Sequence, residues 1–116
     1  NELNREIAGV ILEEAGFLVE SAPDGTDAVA MVERSEEGYY DVVLMDVQMP
    51  VMNGYEATKA IRAMGRRDVK NMPIIAMTAN AMEEDRQRAL KSGMNAHIAK
   101  PIDIKLLMKV LRQFLH

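Results

Sequence analysis

The 116-residue chain has no cysteine and no tryptophan, and it carries only two phenylalanines. Without thiols, disulfides, thiolate catalysis and Cys-ligated zinc or iron–sulfur sites are excluded, and redox chemistry does not mark the compartment. Long apolar runs are also lacking. None approaches the roughly 20 residues that span a bilayer, and the opening residues lack the charged, apolar and small-residue order of a signal peptide. The expected setting is cytoplasmic, with no membrane partner. Clustered positive charge is missing too: 14 Lys and Arg face 18 Asp and Glu, a formal net charge of −4. Phosphate neutralisation needs clustered cations, and Arg66-Arg67 is too short a run, so no nucleic acid partner is expected.

What remains is an ordinary globular composition, 48% hydrophobic and 28% charged. That length and mixture suit one compact domain over residues 1–116 without staples. Ten methionines replace the scarce aromatics as flexible core filler. They are read as packing and not as metal or partner capture.

Leu3, Ile7, Val10 and Ile11 recur at helical spacing as far as Glu14, and Gly16 stands where a C-cap glycine belongs. That predicts a first helix. Phe17 to Ser21 reads as a short strand, and Pro23, Asp24 and Gly25 as a turn before a second helix with Ala28, Val29 and Val32 inward. The acidic stretch Glu33 to Glu37 ends that helix. Val42 to Met45 is the second strand, and a third helix runs through Ala57, Ala60, Ile61 and Met64 to Gly65. Pro73 to Met77 is the next strand, Met82 to Lys91 the next helix with Gly93 behind it, and Met94 to Ala99 the last strand. Ile104, Leu107, Leu111 and Phe114 line the final helix. Alternating strands and helices predict βαβ units, a parallel sheet and helices on both faces. The pattern nevertheless opens on a helix, whereas a doubly wound fold begins with a central strand.

Three strand ends carry Asp46, Thr78 and Lys100. In a parallel sheet these ends share one edge, where ligands bind. Asp46 comes directly after the apolar run Val42 to Met45 and is open to three roles: nucleophile, metal ligand, or cap of the next helix. Taken singly, Asp46 reads as a loop carboxylate, Thr78 as a helix cap and Lys100 as a solvated charge. Together they supply a carboxylate nucleophile, a hydroxyl for a phosphoryl oxygen and a cation for its charge.

These residues match a family. The chain resembles the receiver domain of two-component response regulators from Asn1 to the final helix. The resemblance rests on Leu-Met-Asp46-Val-Gln-Met-Pro-Val-Met-Asn-Gly54, Ala-Met-Thr78-Ala-Asn-Ala, Lys100-Pro101 and Gly93. The Met-Thr-Ala-Asn-Ala wording is similar to receivers attached to hybrid histidine kinases. The resemblance implies a flavodoxin-like doubly wound parallel sheet in which Asp46 accepts a phosphoryl group, assisted by Mg²⁺. The donor is a phosphohistidine on a histidine kinase or histidine phosphotransfer protein. Thr78 resembles the switch hydroxyl, Lys100 the ammonium that pairs with the phosphoryl group, and Gln48 a position whose backbone carbonyl joins Asp46 as metal ligand. Lys100-Pro101 resembles a junction that is usually cis, which aims the lysine into the site. His97 stands where the family has a switch aromatic, and Asn80 matches a position that tunes dephosphorylation and partner access. By itself such a domain is a phosphoacceptor switch and not an enzyme, here expected as part of a hybrid kinase.

One departure qualifies this. The family's first strand ends in an acidic pair that holds Mg²⁺, and the Asn-Glu-Leu-Asn start resembles the segment directly after that pair. Asp46 and one carbonyl are a poor site for an ion that prefers octahedral oxygen ligation, so weak or no Mg²⁺ binding is expected of these residues alone. Glu2 and Glu6 are weighed as substitutes and not preferred. The first strand is expected to be lost from this chain; the alternatives are a second chain filling the slot, as a dimer or strand-swapped assembly, or closure of the remaining strands. Two rival functions stand beside the phosphoacceptor: a phosphorylation-independent interaction module, and an Asp-nucleophile phosphatase. The phosphatase is disfavoured because Gln48 occupies the place of its acid/base Asp.

Overall fold

A computed structural model describes residues 9–48, 51–79 and 82–115. Helix α1 covers residues 9–14. It is followed by α2 (Gly25–Arg34), β1 (Val43–Asp46), α3 (Gly54–Arg62), α4 (Arg67–Lys70), β2 (Ile74–Thr78), α5 (Glu83–Ser92), β3 (Ala96–Ala99) and α6 (Ile104–Phe114). The strands form a parallel sheet in the order β1-β2-β3. Asp46 pairs with Met77, and Thr78 with Ala99. This is the flavodoxin-like doubly wound arrangement.

Successive strand residues point to opposite faces, and both faces are apolar here. Val43, Met45, Ile74 and Ala76 project into a core shared with Val32 of α2, Tyr55, Ala57 and Ile61 of α3, and Ala89 of α5. Leu44, Ile75 and Ile98 project the other way, onto Leu12 of α1 and Leu107 and Leu111 of α6. Every residue of β2 from Ile74 to Ala76 is fully buried, as a central parallel strand requires.

Side chains fix where the helices start. The Asp24 carboxylate accepts the Asp27 N–H at 2.8 Å ahead of α2. Asn53 and Glu56 form a reciprocal capping box on α3. Asp103 accepts the N–H groups of Lys105 and Leu106 at the head of α6. At the opposite edge of the sheet Arg62 ties four segments together. Its guanidinium donates to the carbonyls of Gly93, Val69 and Met72 and to Asn95 Oδ1, each at 2.7–3.0 Å.

Three sequence expectations need correction or placement. Phe17 to Ser21 joins no ladder, so among the described residues the sheet has three strands where the pattern predicts four from this chain. A strand persists by pairing with a neighbour, and among the described residues the free edge of β1 carries none. The short α4 is not predicted from the pattern; four residues are too few to show a helical period, and it forms because Val69 is buried and Arg62 donates to its end carbonyls. Observed strand limits also shift by a residue or two, to Val43–Asp46, Ile74–Thr78 and Ala96–Ala99. Glu2, Glu6 and Asn80 lie outside the described residues.

Candidate functional site

Asp46 and Lys100 lie 54 residues apart in sequence and meet at the carboxyl edge of the sheet. The Lys100 ammonium donates to Asp46 Oδ2 at 2.6 Å, both side chains being about one-fifth exposed, 19% and 21%. The second carboxylate oxygen, Oδ1, accepts the Gln48 backbone N–H at 3.0 Å. Both anionic oxygens are thus partnered from separate loops. An ion pair this withdrawn from water depends on both members, since removing one leaves a desolvated charge.

The strands place the lysine. Lys100 follows β3 directly, and its N–H donates to the Thr78 carbonyl at 2.7 Å, continuing the ladder one residue past the Thr78–Ala99 pair. Thr78 ends β2 one position beyond the partner of Asp46, with its side chain buried. The Lys100-Pro101 bond is cis, in keeping with the resemblance, and Pro101 itself is exposed. His97 is on the opposite pleat of β3 from Ile98 and Lys100 and is half-buried. It lines a hollow of about 220 Å³ with Arg86, Ala89, Leu90, Asn95 and Ala96. The site therefore gathers Asp46, Lys100, Gln48 and the end of the Thr78 strand, while His97 faces α5.

The backbone behind Asp46 is crowded in a way that sequence reasoning missed. A Cβ on Gly54 would lie 2.4 Å from the Asp46 carbonyl oxygen, and the Gly54 N–H donates to the Val47 carbonyl at 3.2 Å. Only glycine allows α3 to start against the strand end. The signal was present, because Gly54 closes the same motif.

A family model described as the response regulator receiver domain matches residues 1–112. The chain belongs to that family. As a receiver domain it is 39% identical over 113 residues to hybrid signal transduction histidine kinase I of Dictyostelium discoideum, the match covering 96% of this chain and 6% of that protein. It thus spans a small fraction of the hybrid kinase it resembles. Among solved structures it is similar to the receiver domain of sensor histidine kinase PA1611 from Pseudomonas aeruginosa PAO1, which has a magnesium ion coordinated in its active site cleft. That structure has a TM-score of 0.85 and 38% identity, covering 98% of this chain and 89% of the other. A third likeness, with TM-score 0.86 and 30% identity over 98% of this chain and 82% of the other, comes from a co-crystal. It joins the Saccharomyces cerevisiae histidine phosphotransfer protein Ypd1 to the receiver domain of its downstream response regulator Ssk1.

The PA1611 receiver's magnesium raises the question of donors in this receiver domain. Among the described residues no group of three or more His, Asp or Glu side chains comes together. Mg²⁺ asks for an octahedral oxygen shell charged by carboxylates, and here Asp46 is engaged by Lys100. The described residues do not make that shell.

Proposed function

We propose that this receiver domain is a phosphoacceptor switch in two-component signalling, with Asp46 as acceptor. The 2.6 Å contact between Lys100 and Asp46 carries the reading, because it joins a nucleophilic carboxylate to the cation that an incoming phosphoryl group requires. In the reaction, an Asp46 oxygen attacks phosphorus, a P–O bond forms, the P–N bond of a phosphohistidine breaks, and the imidazole leaves with the electron pair and takes a proton. The Gln48 N–H holds Oδ1, so Oδ2 attacks as Lys100 transfers its ammonium to the phosphoryl oxygens. Thr78, at the adjoining strand end, supplies the hydroxyl that follows the new charge, about two negative units. Asn80, Pro101 and His97 complete the assignments carried over from the family, His97 as part of the switch on the α5 side. The donor is a histidine kinase or histidine phosphotransfer protein, as the Ypd1 co-crystal supports by likeness. We assign the domain to the cytoplasmic part of a hybrid kinase; among the described residues no helix is long and apolar enough to cross a membrane.

Mg²⁺ assistance is proposed for the family's full donor set and not for the described residues alone. The second reading, an interaction module that works without phosphorylation, needs no such donor set. Incubation of the full-length protein with a phosphorylated histidine phosphotransfer protein and Mg²⁺ separates the two. The acceptor reading expects a hydroxylamine-labile acyl phosphate, and an unlabelled protein supports the module.

A further inference from the structure

We propose that Arg88, laid over the ring of Tyr55, is a clasp that holds helix α5 to the first turn of α3, next to the acceptor loop, and couples its order to the state of Asp46. The coupling half of this rests on the phosphoacceptor reading; the clasp itself does not. The Arg88 guanidinium carbon sits 4.7 Å from the Tyr55 ring centroid, within the range of a cation–π contact. Tyr55 is 9% exposed and follows Gly54, the residue jammed against the Asp46 carbonyl. Any displacement of the Asp46 backbone is therefore felt one residue away, at the Tyr55 ring.

Helix α5 is held lightly. Only Ala89 and Ser92 are buried in it, both near its C-terminal end, and its N-cap Met82 makes no side-chain cap hydrogen bond. Glu83, Glu84, Arg86 and Gln87 are exposed, with Arg86 and Gln87 bonded back to Glu83 within the helix. The charged groups that face Tyr55 are both on α5: Arg88, and half-buried Asp85. Arg88 draws the ring to the helix, whereas the Asp85 carboxylate opposes any charge on its oxygen. This stacking ties the middle of α5 to α3. Since α5 follows the Thr78 strand end, it receives the site's state from two sides.

Amide hydrogen exchange on the unphosphorylated full-length protein tests the clasp. Arg88→Ala and Tyr55→Leu are each expected to raise exchange in residues 86–89, the hydrogen-bonded amides around the contact, about two- to fivefold, the range of a surface cation–π contact. Arg88→Lys and Tyr55→Phe, which keep cation and ring, stay near wild type, and exchange in β2 does not change. The double variant Arg88→Ala with Tyr55→Leu is no worse than either single change. Wild-type exchange in Arg88→Ala, or loss of protection in Tyr55→Phe as large as in Tyr55→Leu, overturns the clasp. Coupling is tested on full-length protein labelled at Asp46: labelling changes α5 exchange in wild type and changes it less in Arg88→Ala. Equal changes overturn the coupling. Failure to label defeats the phosphoacceptor reading and the coupling together, while the unphosphorylated measurements still decide the clasp.

Discussion

At the scale of single residues, the molecule places its charges where other groups need them. Lys100 serves Asp46, and Arg62 serves carbonyls: burial pushes its guanidinium below the ordinary arginine value, yet it faces oxygens from α4, the α4–β2 connection and the C-terminal end of α5. Arg62→Met keeps the stem and orphans those carbonyls. Each buried unsatisfied acceptor costs roughly 1–3 kcal/mol before relaxation and water entry, so a net loss of about 3 kcal/mol is expected. A urea midpoint within about 0.5 kcal/mol of wild type contradicts this role. Lys100 was readable in the sequence because a lysine before proline at a strand end stands out against apolar neighbours. Arg62 was not, since nothing in its flanking residues indicates that its partners are carbonyls seven, ten and thirty-one positions away. The resemblance gives Gln48 a metal-binding carbonyl, and the structure adds a contact from its N–H to Asp46; backbone roles leave no trace in residue type.

At the scale of elements, periodicity did most of the positioning. The Val42 to Met45 run and the Ile104, Leu107, Leu111 and Phe114 spacing mark β1 and α6 because burial on two faces or one imposes those periods. The expected strand over Phe17 to Ser21 has the right composition and, among the described residues, pairs with no strand, and pairing is a relation between segments that one segment cannot display. Helix α6 also shows a separable local contribution. Asp103 caps it with two hydrogen bonds, so Asp103→Ala is expected to cost about 1 kcal/mol. Thermal unfolding should move down by a few degrees, with Asp103→Asn and Asp103→Ser near wild type. Equal losses in all three variants would mean that the carboxylate acts in some way other than capping.

At the scale of the whole molecule, the three-stranded sheet is covered on both faces, while the Phe17 to Ser21 segment is tied to the approach to β1 through side chains. Glu20 accepts hydrogen bonds from the Tyr39 and Tyr40 hydroxyls, on the approach to β1. These bonds, Tyr39's first, hold the Glu20 carboxyl below its ordinary 4.5, so their stabilisation is present above that pH and fades as pH falls through the lower folded value. Burial, and then Glu20, pushes the Tyr40 phenol up from 10.0 to about 12. A raised value gives stability that is complete below pH 10.0 and is lost as pH rises through about 12. Tyr40→Phe should therefore flatten the alkaline limb of the stability curve and weaken the acid limb as well. Curves of unchanged shape at both ends contradict the contact's role.

The central claim is that Asp46 is the acceptor and Lys100 its charge partner. It is tested most directly by locating the label after treating full-length protein with a small-molecule phosphodonor and Mg²⁺. Wild type should carry one acyl phosphate on Asp46, with Asp46→Asn unlabelled, Lys100→Met strongly impaired though folded, and Asp41→Asn, a change in an exposed carboxylate two residues before β1, like wild type. An Asp46→Asn protein that labels as well as wild type would contradict the claim.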